Sequence, residues 1–231
     1  MLSDPRSISY VLECVHPPLR HDQAQLKQLY ARTSADPRLA YGNFNSGAMG
    51  ARMMTVHGPA SFPNAQSHSI FAILPDRFQL TEEWPAIGIE DFIDKAKAAS
   101  ALVLEELPVT RFAAIQCVVR SLASVPGVDD CRAWLEDRFQ GPRADEAACF
   151  GREPALFGLR LGFGPSMGDA TLHNVRVESF NGDRRSLFLE DAGILTLQEE
   201  PADPVAVIES AVRGVYDFLT GPVIDWLNGR A

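Results

Sequence analysis

The sequence predicts an α+β protein in which a mostly antiparallel sheet carries helices packed on one face, arranged as two βα-rich halves. Several runs alternate apolar and polar residues, as half-buried strands do, and short turns join them, which favours antiparallel pairing. Four other segments repeat apolar residues with the helical period. With 231 residues, 46% of them hydrophobic, the chain is long enough to bury a sizeable core.

The first half, residues 1–140, is predicted to contain five strands and three helices. The strands are expected at residues 7–15, 39–44, 49–56, 68–80 (interrupted at Pro75-Asp76) and 110–121, and the helices at residues 22–33, 89–107 and 129–139. Asp22 is the expected N-cap of the first helix, and residues 45–47 are the expected turn of a hairpin. The last strand is apolar on both faces, which predicts a central position in the sheet.

The second half, residues 147–231, is predicted to begin with strands and to end with a helix. The strands are expected at residues 156–163, 172–180, 185–190 and 194–197, and the helix at residues 205–219. Asn181-Gly182 is typical of a type I′ turn, and Asp203 is a good N-cap. Gly221-Pro222 is expected to break the helix, with residues 223–227 as a segment that could resume it. The polar segment 141–146 is the expected boundary between the halves, although one continuous domain is the alternative. We find no internal sequence repeat.

Charge and composition exclude some classes of partner. The formal net charge is −9, so direct binding to nucleic acid or to anionic lipid is disfavoured, and no run of about 18 apolar residues exists that could cross a membrane. The four cysteines form no C-x-x-C pair, and no secretory signal precedes them, so we expect free thiols in a cytoplasmic protein. A disulfide in a secreted protein is the alternative.

The layout resembles a sporadically distributed family of uncharacterised prokaryotic proteins of about this length. The resemblance lies in an opening strand containing Val11, Glu13 and Val15, a helix that follows Trp84-Pro85, and a final strand and helix over residues 187–195 and 205–219. Gly158-Leu159-Arg160 matches a Gly-Leu-Arg run that is frequent in that family. The resemblance implies a bacterial or phage origin and carries no activity.

Two residues are the weak catalytic candidates. Ser166 lies in Gly164-Pro165-Ser166-Met167-Gly168, which has the letters of the G-x-S-x-G nucleophile elbow, but a proline precedes the serine and a strand follows where a helix should. His173 falls on an apolar strand face, where a hydrogen-bonded core histidine is the commoner outcome. The histidine spacing indicates no metal site, and no motif indicates a cofactor.

Polar side chains on the second-half strands are the binding candidates. Arg160, Asn174 and Arg176 are predicted to share the polar faces of neighbouring strands, where they could hold an anion or a partner's carboxylate. Acid pairs such as Glu82-Glu83 are expected to be solvated, and Asp91 and Lys95 are expected to pair on the solvent side of their helix.

Three functions remain open at this level. The first is a non-catalytic module that binds a protein partner or itself, through a sheet face or the apolar stripe of residues 205–219, whose spacing is near-heptad. The second is a small-molecule-binding protein or hydrolase with a site assembled from scattered residues. The third is an acidic immunity or antitoxin-like protein. We favour the first, because no catalytic motif is complete.

Overall fold

A single nine-stranded antiparallel sheet with helices packed against it forms the protein, which confirms the α+β prediction. The computed structural model describes residues 2, 5–60, 62, 64–141, 148–152, 154–199 and 201–229. The strand order is β2-β3-β4-β5-β1-β6-β9-β8-β7. The predicted boundary at 141–146 lies almost wholly outside the described residues. The central strands β1 and β6 pair directly, so the sheet runs unbroken from one half into the other.

The strands follow the predicted order, with two corrections in the first half: the interrupted strand expected at 68–80 forms two strands that pair with each other, and the strand expected at 39–44 begins only at Asn43. They are β1 Arg6–Val15, β2 Asn43–Gly47, β3 Gly50–Pro59, β4 Gln66–Ile73, β5 Arg77–Glu83, β6 Ala114–Ser124, β7 Gly158–Phe163, β8 Leu172–Ser179 and β9 Ser186–Thr196. The position of β6 between β1 and β9 confirms the prediction of a central strand. The two short strands expected at 185–190 and 194–197 form one strand, because residues 191–193 continue the pairing with β6.

The helices are close to their predicted limits. They are α1 Gln23–Ala35, α2 Ile89–Glu106, α3 Cys131–Phe139, α4 Pro204–Phe218 and α5 Ile224–Leu227, with a short 3-10 turn at Ala148–Phe150. Asp22 and Asp203 are the N-caps of α1 and α4, as expected, and each carboxylate accepts a bond from a backbone N–H in the first turn.

Both predicted hairpins form, but the position of the first turn and the type of the second are wrong. Residues 45–47 lie within β2, and the turn falls at Ala48-Met49, where Gly50 takes a φ of +120° with its Cα packed against the carbonyl of Ile73. Asn181-Gly182 belongs to a longer loop, which is closed by a 3.0 Å hydrogen bond from the N–H of Phe180 to the carbonyl of Ser186. Gly182 does not have the positive φ that a type I′ turn requires.

Gly221-Pro222 does not stop the C-terminal helix. Residues Leu219–Val223 form one turn of π-helix that connects α4 directly to α5. A π turn accommodates Pro222, which has no N–H to give to a regular helical ladder. Beyond it, the amide side chain of Asn228 accepts a 2.6 Å hydrogen bond from the backbone N–H of Leu2, so the two ends of the described chain are in contact.

The two halves share one topology, although their sequences show no repeat. In each, a central strand is followed by a helix, a meander that returns to pair with that strand, and a long helix. The long helices α2 and α4 pack against each other. The first half contributes five strands (β1–β5) and the second half four (β6–β9), so β7 lies at the edge where the first half places one more strand, β2.

The core lies between the helices and one face of the sheet. One cluster joins buried side chains of α1 to α4 with those strand residues that face them, including Leu12, Phe71 and Val119. The apolar stripe of α4 belongs to this cluster, with Ile208, Val212 and Val215 nearly inaccessible. The expectation that this stripe could receive a partner helix is therefore wrong, because α2 and the sheet already cover it.

The sheet is strongly curved. Phe62, in the loop between β3 and β4, lies against Phe180 at the end of β8, with 5.7 Å between ring centroids, and stacks on Trp84 at 4.9 Å. Four strands separate β4 from β8. A flat sheet would place such strands about 24 Å apart. Curvature of the sheet and the reach of the β3–β4 loop together close this gap.

Candidate functional site

The second-half edge of the sheet presents unpaired backbone. β7 pairs with β8 on one side and has no strand on its other side among the described residues. The N–H of Ser179 donates to the carbonyl of Phe157 at 2.9 Å, which fixes the alternation of the ladder. The odd-numbered residues of β7 therefore bond to β8, whereas Gly158, Arg160 and Gly162 direct their backbone N–H and C=O groups outward.

Apolar side chains surround this free edge. Phe163 and Leu172 are about two-fifths exposed, and Met167, in the β7–β8 loop, is fully exposed. A cavity of about 430 Å³ adjoins the strand on the helix side. Its lining residues are all apolar: Leu161, Phe163, Phe218, Pro222, Val223 and Trp226. Exposed apolar surface beside an unpaired edge is a feature of protein-interaction sites.

The three predicted binding residues share one face, but they form no anion site. Arg160 and Arg176 are directly opposite each other on β7 and β8, on the face away from the helices, with Asn174 beside them. Arg176 is already paired with Glu178 at 2.7 Å and lies over the ring of Phe188. Arg160 is exposed and has no ion-pair partner among the described residues.

The weak catalytic candidates do not form a catalytic pair. His173 lies on the opposite face of the sheet from Arg160 and Arg176, so the candidates do not converge in one pocket. It is a buried, hydrogen-bonded histidine, as the sequence favoured: Nδ1 contacts Asp191 at 2.7 Å and Nε2 contacts Asp169 at 3.1 Å. Ser166 is exposed in the β7–β8 loop, where its backbone bonds to Asp169. The contact at Nε2 is a carboxylate, where a hydrolase would have its serine.

Electrostatics favours a charged His173. Burial alone would lower the pKa of His173, but the hydrogen bonds and charges of Asp191 and Asp169 outweigh it and raise that pKa above its usual value. Burial raises the pKa of Asp191, and the hydrogen bond from His173 offsets this only in part. Through its two hydrogen bonds, the His173 ring ties the loop at Asp169 to the buried strand β9.

A second polar cluster was missed by the sequence analysis. Lys95 on α2 places Nζ 2.6 Å from Oε1 of Glu82 on β5, and both side chains are less than a tenth exposed. Ser69 on β4 joins them, donating to Oε2 of Glu82 at 2.6 Å and accepting from Lys95 at 3.1 Å. The expected solvent-side pairing of Asp91 with Lys95 is wrong, as is the expected solvation of Glu82.

The donors and acceptors at the Ser69 hydroxyl fix the direction of each hydrogen bond in this cluster. A hydroxyl has one proton and two lone pairs. Because Ser69 gives its proton to Glu82 and accepts from Lys95, Nε2 of His57, 2.7 Å away, must donate to the remaining lone pair. The hydroxyl is then saturated, which makes Ser69 a connector between charges and a poor nucleophile.

The cluster lies at the base of a cavity of about 460 Å³. The lining combines polar and apolar residues from α1–β2, the sheet and α2: Pro37, Arg38, Leu39, Ala40, His57, Ser69, Glu82, Ala86, Ile87, Asp91, Asp94 and Lys95. Strand alternation and helical spacing in the sequence could have predicted that Ser69, Glu82 and Lys95 are buried. Ser69 alternates with Phe71, and Glu82 with Leu80, so both point toward the helices, and Lys95 follows Phe92 by three residues on the inward side of α2.

Other site types are not found in the described part of the chain. No group of three or more His, Cys, Asp or Glu side chains there is arranged to hold a metal ion. No described helix is long and apolar enough to cross a bilayer. Comparison with models of known protein families and with curated proteins gives no match to this chain.

Proposed function

We propose that the chain is a non-catalytic, cytoplasmic assembly module that binds a second copy of itself along β7. The observation that carries this proposal is the outward-facing backbone of Gly158, Arg160 and Gly162, beside exposed apolar side chains and an apolar cavity. Strand addition to such an edge uses main-chain hydrogen bonds for affinity and neighbouring pockets for specificity. The free cysteines, three of them buried, fit a reducing compartment.

Symmetry favours a second copy over an open chain of copies. Two β7 strands related by a two-fold axis perpendicular to the sheet pair antiparallel and close the assembly, because each edge satisfies the other. Pairing β7 of one copy with β2 of the next would leave free edges and grow without limit. A closed pair joins two nine-stranded sheets and brings the two apolar cavities together beside the axis.

Repulsion between the Arg160 side chains of the two copies selects the register of the β7–β7 pair. The two-fold axis requires residues on the same face to lie opposite each other, so it can pass through Arg160 or through Leu161. Centring on Arg160 places two arginines directly opposite, which is destabilising. Centring on Leu161 places Arg160 opposite Gly162 of the partner copy and sets apolar residues against each other on the helix side. We therefore infer the second register.

A proline substitution tests the edge without disturbing the fold. The N–H of Arg160 points away from β8, so Arg160→Pro should remove an intermolecular hydrogen bond while keeping the β7–β8 ladder. We expect light scattering to show a dimer for the wild type and for Arg160→Ala, and a monomer for Arg160→Pro with unchanged circular dichroism. A wild type that stays monomeric up to millimolar concentration would contradict the proposal.

Cysteine pairs test the register. Both variants carry Cys149→Ser, because Cys149 is exposed. Gly162 has room for a side chain, since an added Cβ would meet its nearest atom, on Asn174, at 4.0 Å. Arg160→Cys with Gly162→Cys should form interchain disulfides in the inferred register, whereas Arg160→Cys alone should not. Efficient crosslinking of the single variant would place the axis at Arg160 instead.

A further inference from the structure

We propose that the cavity above Lys95, Glu82 and Ser69 binds a small hydroxylated amine, such as an amino sugar or an amino alcohol. Its volume of about 460 Å³ is within the range of small-molecule sites. The proposal is independent of self-association, since the cavity lies in the first half, at the opposite end of the strand order from β7.

The base of the cavity offers hydrogen bonds but little net charge. Lys95 and Glu82 neutralise each other at 2.6 Å. An ammonium has three donors, and Lys95 uses two of them on Glu82 and Ser69. The third has no oxygen acceptor among the described residues, and Nζ lies 4.9 Å from the centroid of the Tyr41 ring. Lys95 is 94% buried and lines the cavity, so a ligand oxygen can accept a hydrogen bond from its third N–H.

That oxygen is better neutral than charged. A ligand carboxylate at Lys95 would approach Glu82, whose carboxylate is already in contact with Nζ, and like charges at this distance repel. A hydroxyl or carbonyl avoids this cost. His57 adds an acceptor, because a neutral ring that donates through Nε2 to Ser69 keeps a lone pair on Nδ1. A hydroxyl group satisfies both partners, since it accepts from Lys95 and donates to His57.

The upper wall favours a cation. Arg38 is held by Asp36 through hydrogen bonds of 3.0 and 2.6 Å, so its charge is largely compensated. Asp91 and Asp94 also line the cavity, and no hydrogen bond holds either carboxylate within the described residues. Although Arg38 and Lys97 both interact with the charge of Asp94, the carboxylates exceed the cations on this wall, so it carries net negative charge above a neutral base. A ligand with an ammonium at one end and hydroxyls at the other matches both the negatively charged wall and the neutral base.

A matched set of sugars tests the assignment. Glucosamine carries the amine and the hydroxyls, glucose lacks the amine, N-acetylglucosamine neutralises it, and glucuronate replaces it with a negative charge. In isothermal titration and methyl NMR at pH 7 and physiological salt, we expect glucosamine to bind most tightly, with shifts at Leu39 and Ile87. If glucosamine binds no more tightly than glucose or glucuronate, the assignment is wrong.

Variants separate this site from general attraction to an acidic protein. Asp94→Asn should weaken glucosamine binding at least about five-fold, as expected for loss of one charge contact in a partly desolvated site. Asp129→Asn removes an equally exposed carboxylate outside the cavity and should leave binding unchanged. Ile87→Trp, which fills the cavity, should abolish it while the circular dichroism is retained. Equal losses in the two Asn variants, or binding that survives Ile87→Trp, would overturn the proposal.

Discussion

Removing Lys95 should destabilise the protein more than any surface substitution. Lys95→Met keeps the length of the side chain but leaves the carboxylate of Glu82, whose side chain is 3% exposed, without its cation. Breaking one partner of a buried ion pair costs about 3–5 kcal/mol. Ser69 still donates to Glu82, so the lower part of that range applies, and we expect about 3 kcal/mol.

The double variant distinguishes a buried pair from two separate contacts. Lys95→Met with Glu82→Leu removes both charges, and apolar replacements of a buried pair are often close to neutral. Because Ser69 loses two partners, we expect the double variant to be within about 2 kcal/mol of the wild type. Glu82→Leu alone should also cost about 3 kcal/mol, because it leaves the buried ammonium of Lys95 without its anion, so the coupling free energy should be at least about 4 kcal/mol.

Urea unfolding followed by circular dichroism measures the free energy of unfolding of the wild type, the two single variants and the double variant. Lys27→Met is the control at an exposed lysine. Single effects that add within about 0.5 kcal/mol would show that the two charges do not interact, and the reasoning would be refuted.

Three further predictions concern packing, pH and capping. Gly193→Ala should lower the free energy of unfolding in urea by about 1–3 kcal/mol, because the added Cβ would lie 2.1 Å from Cγ2 of Val215. Gly214→Ala should not lower it, because a Cβ added there would have no atom within 4 Å. The raised pKa of His173 means that its stabilising effect is complete below about pH 6.5 and is lost as pH rises through the folded pKa. Unfolding free energies measured from pH 6 to 9 should therefore fall more in the wild type than in His173→Gln. Asp203→Ala should lower the stability by about 1 kcal/mol, seen as a reduced Tm, because the carboxylate accepts from two N–H groups of α4; an unchanged Tm would contradict this.

The order of strands and helices could be predicted because each follows from local pattern. Alternation located β1, a run that is apolar on both faces located β6, and caps at Asp22 and Asp203 marked helix starts. The turns could not be predicted in the same way, because tertiary contacts selected them. At Gly50 the approach of the Ile73 carbonyl requires a residue without a side chain, and β3 is paired with β4 at this point.

The candidate sites were only partly predictable. Strand alternation placed Arg160 and Arg176 on one face, yet it gave no strand order, so neither the edge position of β7 nor the ion pairs of Arg176 could follow. The cluster at Lys95 was missed because charge was taken to mean exposure. Each member is on an inward-facing position of its own element, and only the assembled layers show that the charges neutralise one another.

The contact between Leu2 and Asn228 makes the order of the two halves along the chain interchangeable in principle. Because the two ends of the described chain touch, and the halves meet mainly through the pairing of β1 with β6 and the packing of α2 on α4, a short linker could join the ends while a new start is opened between α2 and β6. Such a circular permutant would keep every strand neighbour. It would also reverse which half leaves the ribosome first, so comparing its folding during synthesis with that of the original order would reveal whether one half provides the template for the other.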